Sequence, residues 1–339
     1  MFIDLTPEQR ALRLEIRDYF THLMTPELRL ALRGEEGGDT FRKVVKQMGK
    51  DGWLAVGWPK EHGGQGYQAT EQLIFFEEAN IAGAPLPFVT ISTVGPALME
   101  SGTQLQKDMF LPGIASGDIH FAIGYSEPNA GSDLASLRTS AVDMGDHYLV
   151  NGSKIWTSYG DKSDWMYALV RTDAKAPKHQ GISLLLLDMH SEGVKTAPID
   201  LISGKSSFCE VFFDNVRVPK ENLIGDINDG WKLAKELLQH ERSAMSKFGE
   251  FQLPTHFDLM SLVHEYLPEP HSASEMSLLH KAHDADMEEH AYHLTVQRLT
   301  QEMQAGQNCF GLMSIMKLVH TEQEIVKFEL LLDAMGYRA

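Results

Sequence analysis

The stretch Tyr125-Ser126-Glu127-Pro128-Asn129-Ala130-Gly131-Ser132-Asp133 follows an apolar run at residues 120–124 that is typical of a β-strand. Pro128 and Gly131 predict a turn that leaves nearby backbone N–H groups free to face a ligand, an arrangement that binds anions. Ser126 and Ser132 add hydroxyl donors. From the residues alone, both a capped hairpin loop and the anion-binding edge of a ligand site remain open.

A second chemically distinctive segment follows at Asn151-Gly152-Ser153-Lys154-Ile155-Trp156-Thr157-Ser158. On a β-strand, alternation places Trp156 and Ser158 on the same side, so both can face one ligand. An isolated tryptophan in such a strand is more often a core residue. The segment therefore indicates a binding site only in combination with the first one.

The remaining periodicity predicts a helical, then a sheet-forming, then again a helical region. Thr6-Pro7-Glu8-Gln9 has the pattern of a helix start with a capping box. Strands are predicted at residues 120–125, 148–150, 165–171, 182–187 and 210–213, with turns at Asn151-Gly152, Gly160-Asp161 and Ser203-Gly204. Helices are predicted at residues 231–248, 275–304 and 308–335. We therefore predict an α+β fold with an N-terminal α-helical domain at 1–120, a central antiparallel β domain at 121–232, and a C-terminal α-helical domain at 233–339, for which a shortened form stays open.

Composition limits the function classes. The chain has 339 residues with 30 Lys and Arg against 47 Asp and Glu, a formal net charge of −17. Such a surface repels nucleic acid and anionic lipid, so we expect neither as a partner. Cys209 and Cys309 are the only cysteines, which suits a reducing cytoplasm, and no apolar run approaches the length of a membrane span. We expect a cytoplasmic protein.

Together the two segments resemble the flavin-contacting signatures of the acyl-CoA dehydrogenase family, Thr/Ser-Glu-Pro-x-Ala-Gly-Ser-Asp and Asn-Gly-x-Lys-x-Trp-x-Thr/Ser. The resemblance implies FAD as the cofactor. It places Ser126 against the isoalloxazine ring, Ser132 at the pyrophosphate, Trp156 on the flavin face and Ser158 near the flavin N5. The remaining expected cofactor contacts are Ile123, Tyr125 and Gly131.

The resemblance also implies a catalytic base. The family reaction removes an α proton from an acyl-CoA thioester while hydride leaves the β carbon for flavin N5. One of the two places where the family carries its base is a Glu-Arg pair early in the C-terminal helical domain, which here is Glu241-Arg242. We expect Glu241 to be the base, and Arg242 to orient that carboxylate or to pack near the flavin at the substrate site.

The N-terminal residues 1–10 and Val94-Gly95-Pro96 resemble the heteromeric branch of the family that degrades bacterial steroid side chains. The family's Arg-x-x-Phe-Gly run, which reaches a neighbour's FAD, is not found in the corresponding acidic region, residues 279–289. We therefore expect a second, different subunit in an α2β2 heterotetramer. A steroid side-chain acyl-CoA is the expected substrate and electron-transferring flavoprotein the expected electron acceptor.

Other functions remain open from the sequence. The chain could be a non-catalytic subunit that stabilises an active partner, or an acyl-CoA oxidase on the same fold. His280, His283, His290 and His293 lie on one predicted helix at spacings that permit chelation, but the acidic, polar surroundings favour a solvated helix face. We predict no metal site.

Overall fold

The computed structural model describes residues 4–33, 37–248, 258–269 and 272–336. The helices of this described part are α1 (Pro7–Leu23), α2 (Pro26–Leu32), α3 (Asp39–Lys50), α4 (Ala69–Ala82), α5 (Gly95–Ser101), α6 (Gln104–Ala115), α7 (Gly230–Phe248), α8 (Leu259–Tyr266), α9 (Ala273–Gln304) and α10 (Phe310–Met335). The strands are β1 (Phe121–Gly124), β2 (Ser140–Asp143), β3 (His147–Ser158), β4 (Trp165–Arg171), β5 (Ile182–Asp188), β6 (Val194–Ile199), β7 (Phe208–Pro219) and β8 (Leu223–Ile224).

The chain divides into two compact units by its internal contacts. One unit comprises Met1–Met24, Gln68–Ala84 and Arg242–Ala339, and the other comprises Thr25–Tyr67 and Pro85–Glu241. The boundaries predicted at residues 120 and 232 follow the change from helix to strand and back, and they stay a prediction. The α+β class is confirmed, because helices precede and follow a single eight-stranded sheet in the described residues.

The helical unit shows why its first helix begins where it does. Thr6 accepts a hydrogen bond from the backbone N–H of Gln9 at 3.2 Å, and the Gln9 side chain accepts one from the backbone N–H of Thr6 at 3.1 Å. This confirms the predicted capping box. Further along α1, Arg17 binds the almost fully buried carboxylate of Glu78 on α4 with two hydrogen bonds of 2.8 and 2.7 Å. This pairing joins α1 to α4 within the unit.

The sheet has the strand order β6-β7-β3-β2-β4-β5-β8, and β1 pairs with β4. The expectation of an all-antiparallel sheet is wrong in one respect, because β1 runs parallel to β4 and β2 shares one parallel pair with it. A parallel pair needs a crossover rather than a hairpin, and the loop after β1 with β2 and β3 provides it. One face of the sheet carries an apolar core that includes Val150, Met166 and Val211.

The predicted turn at Asn151-Gly152 is also wrong, because both residues lie inside β3. The register against β7 shifts between Val150 and Gly152, which marks a β-bulge. Gly152 has φ 145°, and a Cβ there would lie 2.6 Å from the Thr139 hydroxyl oxygen. The glycine thus permits a bulge and a close approach rather than a chain reversal.

The Gly- and Pro-rich loop around Trp58 packs against the segment Val94-Gly95-Pro96 in the sheet-containing unit. Trp58 is buried, and its indole N–H donates to the carbonyl of Ile91 at 3.0 Å. A Cβ on Gly95 would lie 2.1 Å from the Trp58 ring. The segment at 94–96, which resembles the steroid branch in sequence, is therefore in close contact with the Trp58 loop. No helix of the described residues is both long and apolar enough to cross a membrane.

Gly95→Ala is expected to destabilise the protein, because the added methyl group must displace a buried indole that is held by a hydrogen bond. Overpacking of this kind costs about 1–3 kcal/mol of unfolding free energy. The measurement is urea unfolding of the variant and the wild type. Gly311→Ala is the matched control, since nothing lies within 4 Å of a Cβ at Gly311 on α10. Equal stability of the Gly95 variant and the wild type would contradict the packing described.

Candidate functional site

The loop after β1 is closed by its own backbone. The N–H of Glu127 donates to the carbonyl of Ala130, and the N–H of Ala130 donates to the carbonyl of Glu127, both at 3.0 Å. Gly131 and Ser132 follow at the surface, and in the described part of the chain their N–H groups have no protein acceptor. Nothing lies within 4 Å of a Cβ at Gly131. The loop therefore presents open space and free donors, as an anion-binding edge requires.

A buried ion pair joins this loop to β3. The ammonium of Lys154, which is fully buried, donates to the Glu127 carboxylate at 2.8 Å and to the carbonyl of Tyr125 at 3.1 Å. Glu127 also accepts from the backbone N–H groups of Arg138 at 2.6 Å and Thr139 at 2.9 Å. The carboxylate thereby holds both ends of the loop and is satisfied by hydrogen bonds, as a buried charge must be.

The pKa values of the pair reflect this burial. Burial lowers the pKa of Lys154 to about 8, against the opposing charge of Glu127. Burial alone would raise the pKa of Glu127, but the Lys154 ammonium and the hydrogen bonds it accepts hold that pKa below its usual value. The charged form of the carboxylate is therefore the stable one near neutral pH.

Arg171 at the end of β4 supports the far side of the loop. Its guanidinium donates to the carbonyls of Ala135 at 2.6 Å and of Leu137 at 3.2 Å, and also to that of Lys178 at 2.7 Å. An arginine can serve several carbonyls at once because it carries five N–H donors in a fixed plane. The segment that follows Asp133 is thus fixed to the sheet.

Trp156 on β3 is unusual in its backbone conformation and in its exposure. A second β-bulge falls between Lys154 and Thr157, and Trp156 within it has φ 60°. A left-handed conformation is strained for a bulky residue, and such strain concentrates at functional sites. The indole is 56% exposed and makes an edge contact with Phe208 at 6.2 Å between ring centroids. An aromatic face is therefore held open to a ligand.

The hydroxyl residues of the two motifs lie near Trp156, Ser158 along β3 and Ser126 by a backbone contact. The N–H of Ile155 donates to the carbonyl of Ser126 at 2.9 Å, so the two motifs are in direct backbone contact. Thr157 is buried, while Ser158 on its other side is half-buried, like Ser126 and Ile123. The structure brings these residues together with Trp156 in one unit. An open indole, two accessible hydroxyls and free N–H groups suit a flat ring system that carries phosphates, and so they fit FAD.

Glu241 lies on α7 and is half-buried. The preceding His240 contacts Glu100 at 3.0 Å between Nε2 and Oε2, which ties this part of α7 to α5. Burial raises the pKa of Tyr125 well above its usual value, and the charges of Tyr167 and Glu241 add to the effect. Glu241 is thus an electrostatic neighbour of the residue that precedes Ser126. The side chain of Arg242 lies outside the part of the chain that the structure describes.

Sequence reasoning did not assign roles to Glu127, Lys154 and Arg171. Each motif contains a charged residue close to or within a strand, Glu127 three residues after β1 and Lys154 inside β3. Charged residues in positions that alternation would bury are a signal for pairing, because an unpaired buried charge is too costly. Arg171 at the end of a strand offers no comparable signal.

Comparison with known proteins shows which family this chain resembles. Residues 6–118 match the domain family described as "Acyl-CoA dehydrogenase, N-terminal domain", and residues 122–216 match "Acyl-CoA dehydrogenase, middle domain". Acyl-CoA dehydrogenase FadE26 of Mycobacterium tuberculosis is 52% identical over 252 residues, which cover 72% of this chain and 63% of FadE26. FadE29 of the same organism is 49% identical over 74% of this chain and 65% of its own length. The chain thus spans less than two thirds of both relatives.

Solved structures match over nearly the whole chain. The structure named Tcur3481-Tcur3483 steroid ACAD has a TM-score of 0.87 and 37% identity, and the match covers 99% of this chain and 86% of that one. The ChsE4-ChsE5 complex from Mycobacterium tuberculosis has a TM-score of 0.83 and 41% identity, covering 99% of this chain and 87% of that one.

Lys154→Met is expected to lower the unfolding free energy by about 3 kcal/mol, because it leaves the Glu127 carboxylate buried without its cation. The loop that bears Ser126 and Ser132 should loosen, so bound FAD should fall as well. Denaturant unfolding and the flavin-to-protein absorbance ratio measure the two effects.

Lys178→Met is the matched control for that substitution. Lys178 binds Asp133 of the same loop at 2.6 Å, but both side chains are at least half exposed. A surface pair of this kind contributes about 1 kcal/mol or less. Similar losses in the two variants would refute a special role of the buried pair.

Proposed function

The chain belongs to the acyl-CoA dehydrogenase family, and on that premise we propose that it is the flavin-bearing subunit of an enzyme that introduces an α,β double bond into an acyl-CoA thioester. Members of the family are FAD-dependent oxidoreductases. The observation that carries the proposal is the open Trp156 indole in a strained bulge of β3, where the preceding residue, Ile155, bonds to the backbone of Ser126. Such strain persists only where the surrounding structure imposes it, which supports a ligand-binding purpose.

Different residues of the chain have different roles in the proposed reaction. Trp156, Ser126 and Ser158 bind and orient the flavin ring, and Gly131 and Ser132 bind its pyrophosphate with N–H and hydroxyl donors. Ile123 and Tyr125 flank this site on the strand side. FAD, when bound, supplies the acceptor for the hydride that leaves the β carbon.

Glu241 is the proposed base. Its carboxylate takes the α proton on one oxygen, and the electron pair of the broken C–H bond becomes part of the new double bond. Half-burial on α7 supports this role, because partial exclusion of water makes a carboxylate a stronger base. The contact of His240 with Glu100 orients this part of the helix. Arg242 is proposed to orient the carboxylate or the substrate.

The proposed substrate is a steroid side-chain acyl-CoA. This rests on the resemblance of residues 1–10 and 94–96 to the steroid branch, and on the likeness to a solved structure named a steroid ACAD. The length of the side chain is left open by both.

Electron-transferring flavoprotein is the proposed electron acceptor, as in the family at large, and the cytoplasm is the proposed location.

The proposed partner is a second acyl-CoA dehydrogenase-like subunit in an α2β2 assembly. Residues 279–289 of α9 lack the Arg-x-x-Phe-Gly run that would reach a neighbour's FAD, and they carry several carboxylates instead. The ChsE4-ChsE5 structure, to which this chain is similar, is a complex of ChsE4 with ChsE5. A different subunit would supply the missing cationic contacts to the pyrophosphate.

Glu241→Gln should reduce kcat with an acyl-CoA substrate by at least about 100-fold, the usual scale for loss of a general base, while bound FAD is retained. The assay is bleaching of the flavin spectrum under anaerobic mixing. Glu221→Gln, an exposed position in the same unit, should leave kcat unchanged. Full activity of the Glu241 variant would assign the base to another residue.

Expression of this chain alone should yield protein with substoichiometric FAD, and co-expression with the partner subunit should raise the occupancy. The reason is that this chain provides the ring site but lacks the Arg-x-x-Phe-Gly run in the acidic residues 279–289. Flavin absorbance per protomer and the mass of the complex are the measurements. Full occupancy and activity without any partner would refute the two-subunit proposal.

A further inference from the structure

Two tyrosines, one on β4 and one directly after β1, have buried hydroxyls. In the parallel ladder of β1 and β4, Ile123 is opposite Tyr167, and Tyr125 follows two residues after Ile123. Alternation therefore directs Ile123 and Tyr167 to one face, while Met166 and Ala168 face the core. Tyr125 lies directly after the end of β1 and interacts electrostatically with Tyr167. Tyr125 is 8% exposed and Tyr167 is fully buried.

Neither hydroxyl has a hydrogen-bond partner within the described part of the protein. A buried polar group without a partner costs free energy, and folded proteins leave few of them. Phenylalanine at either position would fill the same space without that cost. Two such hydroxyls, one on β4 and one directly after β1, therefore need a partner beyond the residues that the structure describes.

The surrounding charges define the partner that fits. The charges of Glu236 and Glu100 raise the pKa of Tyr167, after the larger effect of burial. Burial also raises the pKa of Tyr125, and Tyr167 and Glu241 contribute to it. Carboxylates thus act on both hydroxyls, which keeps them protonated and disfavours an anionic ligand group. A neutral oxygen that accepts hydrogen bonds is favoured.

We propose that the hydroxyls of Tyr125 and Tyr167 form a polar subsite that donates hydrogen bonds to a neutral oxygen, a keto or hydroxyl group, on the acyl part of the substrate. The proposal rests on the function proposed above in taking the ligand to be an acyl-CoA. The proposal assigns the oxygen to the acyl group rather than to the nucleotide of CoA, because the charge of Glu241, the proposed base, acts on Tyr125. The enzyme would therefore select among acyl groups by oxygenation as well as by size.

The test compares two acyl-CoA thioesters with the same carbon skeleton, one with a ring ketone and one with a methylene group at that position. Binding to the FAD-loaded protein, co-expressed with its partner subunit, is measured by calorimetry. The wild type should prefer the oxygenated ester, and Tyr125→Phe and Tyr167→Phe should each reduce the ratio of the two Kd values about tenfold, the scale of one hydrogen bond. Tyr148→Phe, a buried tyrosine on the core side of β3, should preserve the ratio.

Thermal unfolding of the ligand-free variants provides a second readout. Both substitutions should keep or raise the Tm, because each removes an unsatisfied hydroxyl. A lower Tm would show that the hydroxyls are bonded within the protein and would overturn the proposal. An unchanged Kd ratio would overturn it as well and would leave bound water as the partner.

The outcomes also separate this proposal from the function on which it rests. An equal loss of binding for both esters would place the hydroxyls at the thioester or the flavin and refute the subsite. Turnover of both esters without any preference would refute the subsite alone. A preference that depends on Tyr125, found in a protein without dehydrogenase activity, would support the subsite and refute the proposed reaction.

Discussion

The buried ion pair between Lys154 and Glu127 is the constraint on which the candidate site depends. It joins segments that lie 27 residues apart in the sequence, and the same carboxylate accepts two backbone N–H groups from the end of the loop. A charge without water must keep its partners, so neither the loop nor the strand can move without the other. Ser126 and Trp156 are close neighbours of these anchor points in the sequence, and their placement follows from the pair.

Much of the fold could be predicted because it is encoded locally. The capping residues of α1, the long helices after residue 230 and most of the strands follow from periodicity and composition over a few residues. Asn151-Gly152 misled the prediction because the same pair permits a turn and a bulge, and only the Thr139 hydroxyl packed against Gly152 decides between them. The parallel pairing of β1 with β4 depends on contacts across more than 40 residues, which no local pattern contains.

In the candidate site, too, features encoded by adjacent residues could be predicted, and features that depend on distant contacts could not. Its two motifs could be found in the sequence because their residues are adjacent, and the structure brings them into backbone contact. The partners of Lys154 and the carbonyls that Arg171 satisfies could not be found, because satisfaction of a polar group is a property of three-dimensional surroundings. The same holds for Tyr125 and Tyr167, whose hydroxyls are unusual only once their burial and neighbours are known.

The strained, exposed Trp156 has a consequence for the life of the protein in the cell. A ligand that binds only the folded chain stabilises it in proportion to the logarithm of its free concentration. Copies without flavin keep an open indole and lack the stability that the ligand adds, and they are the ones that proteases and chaperones should encounter first. The steady-state amount of this protein should therefore follow the supply of riboflavin, so that nutrition, as well as transcription, sets how much of it accumulates.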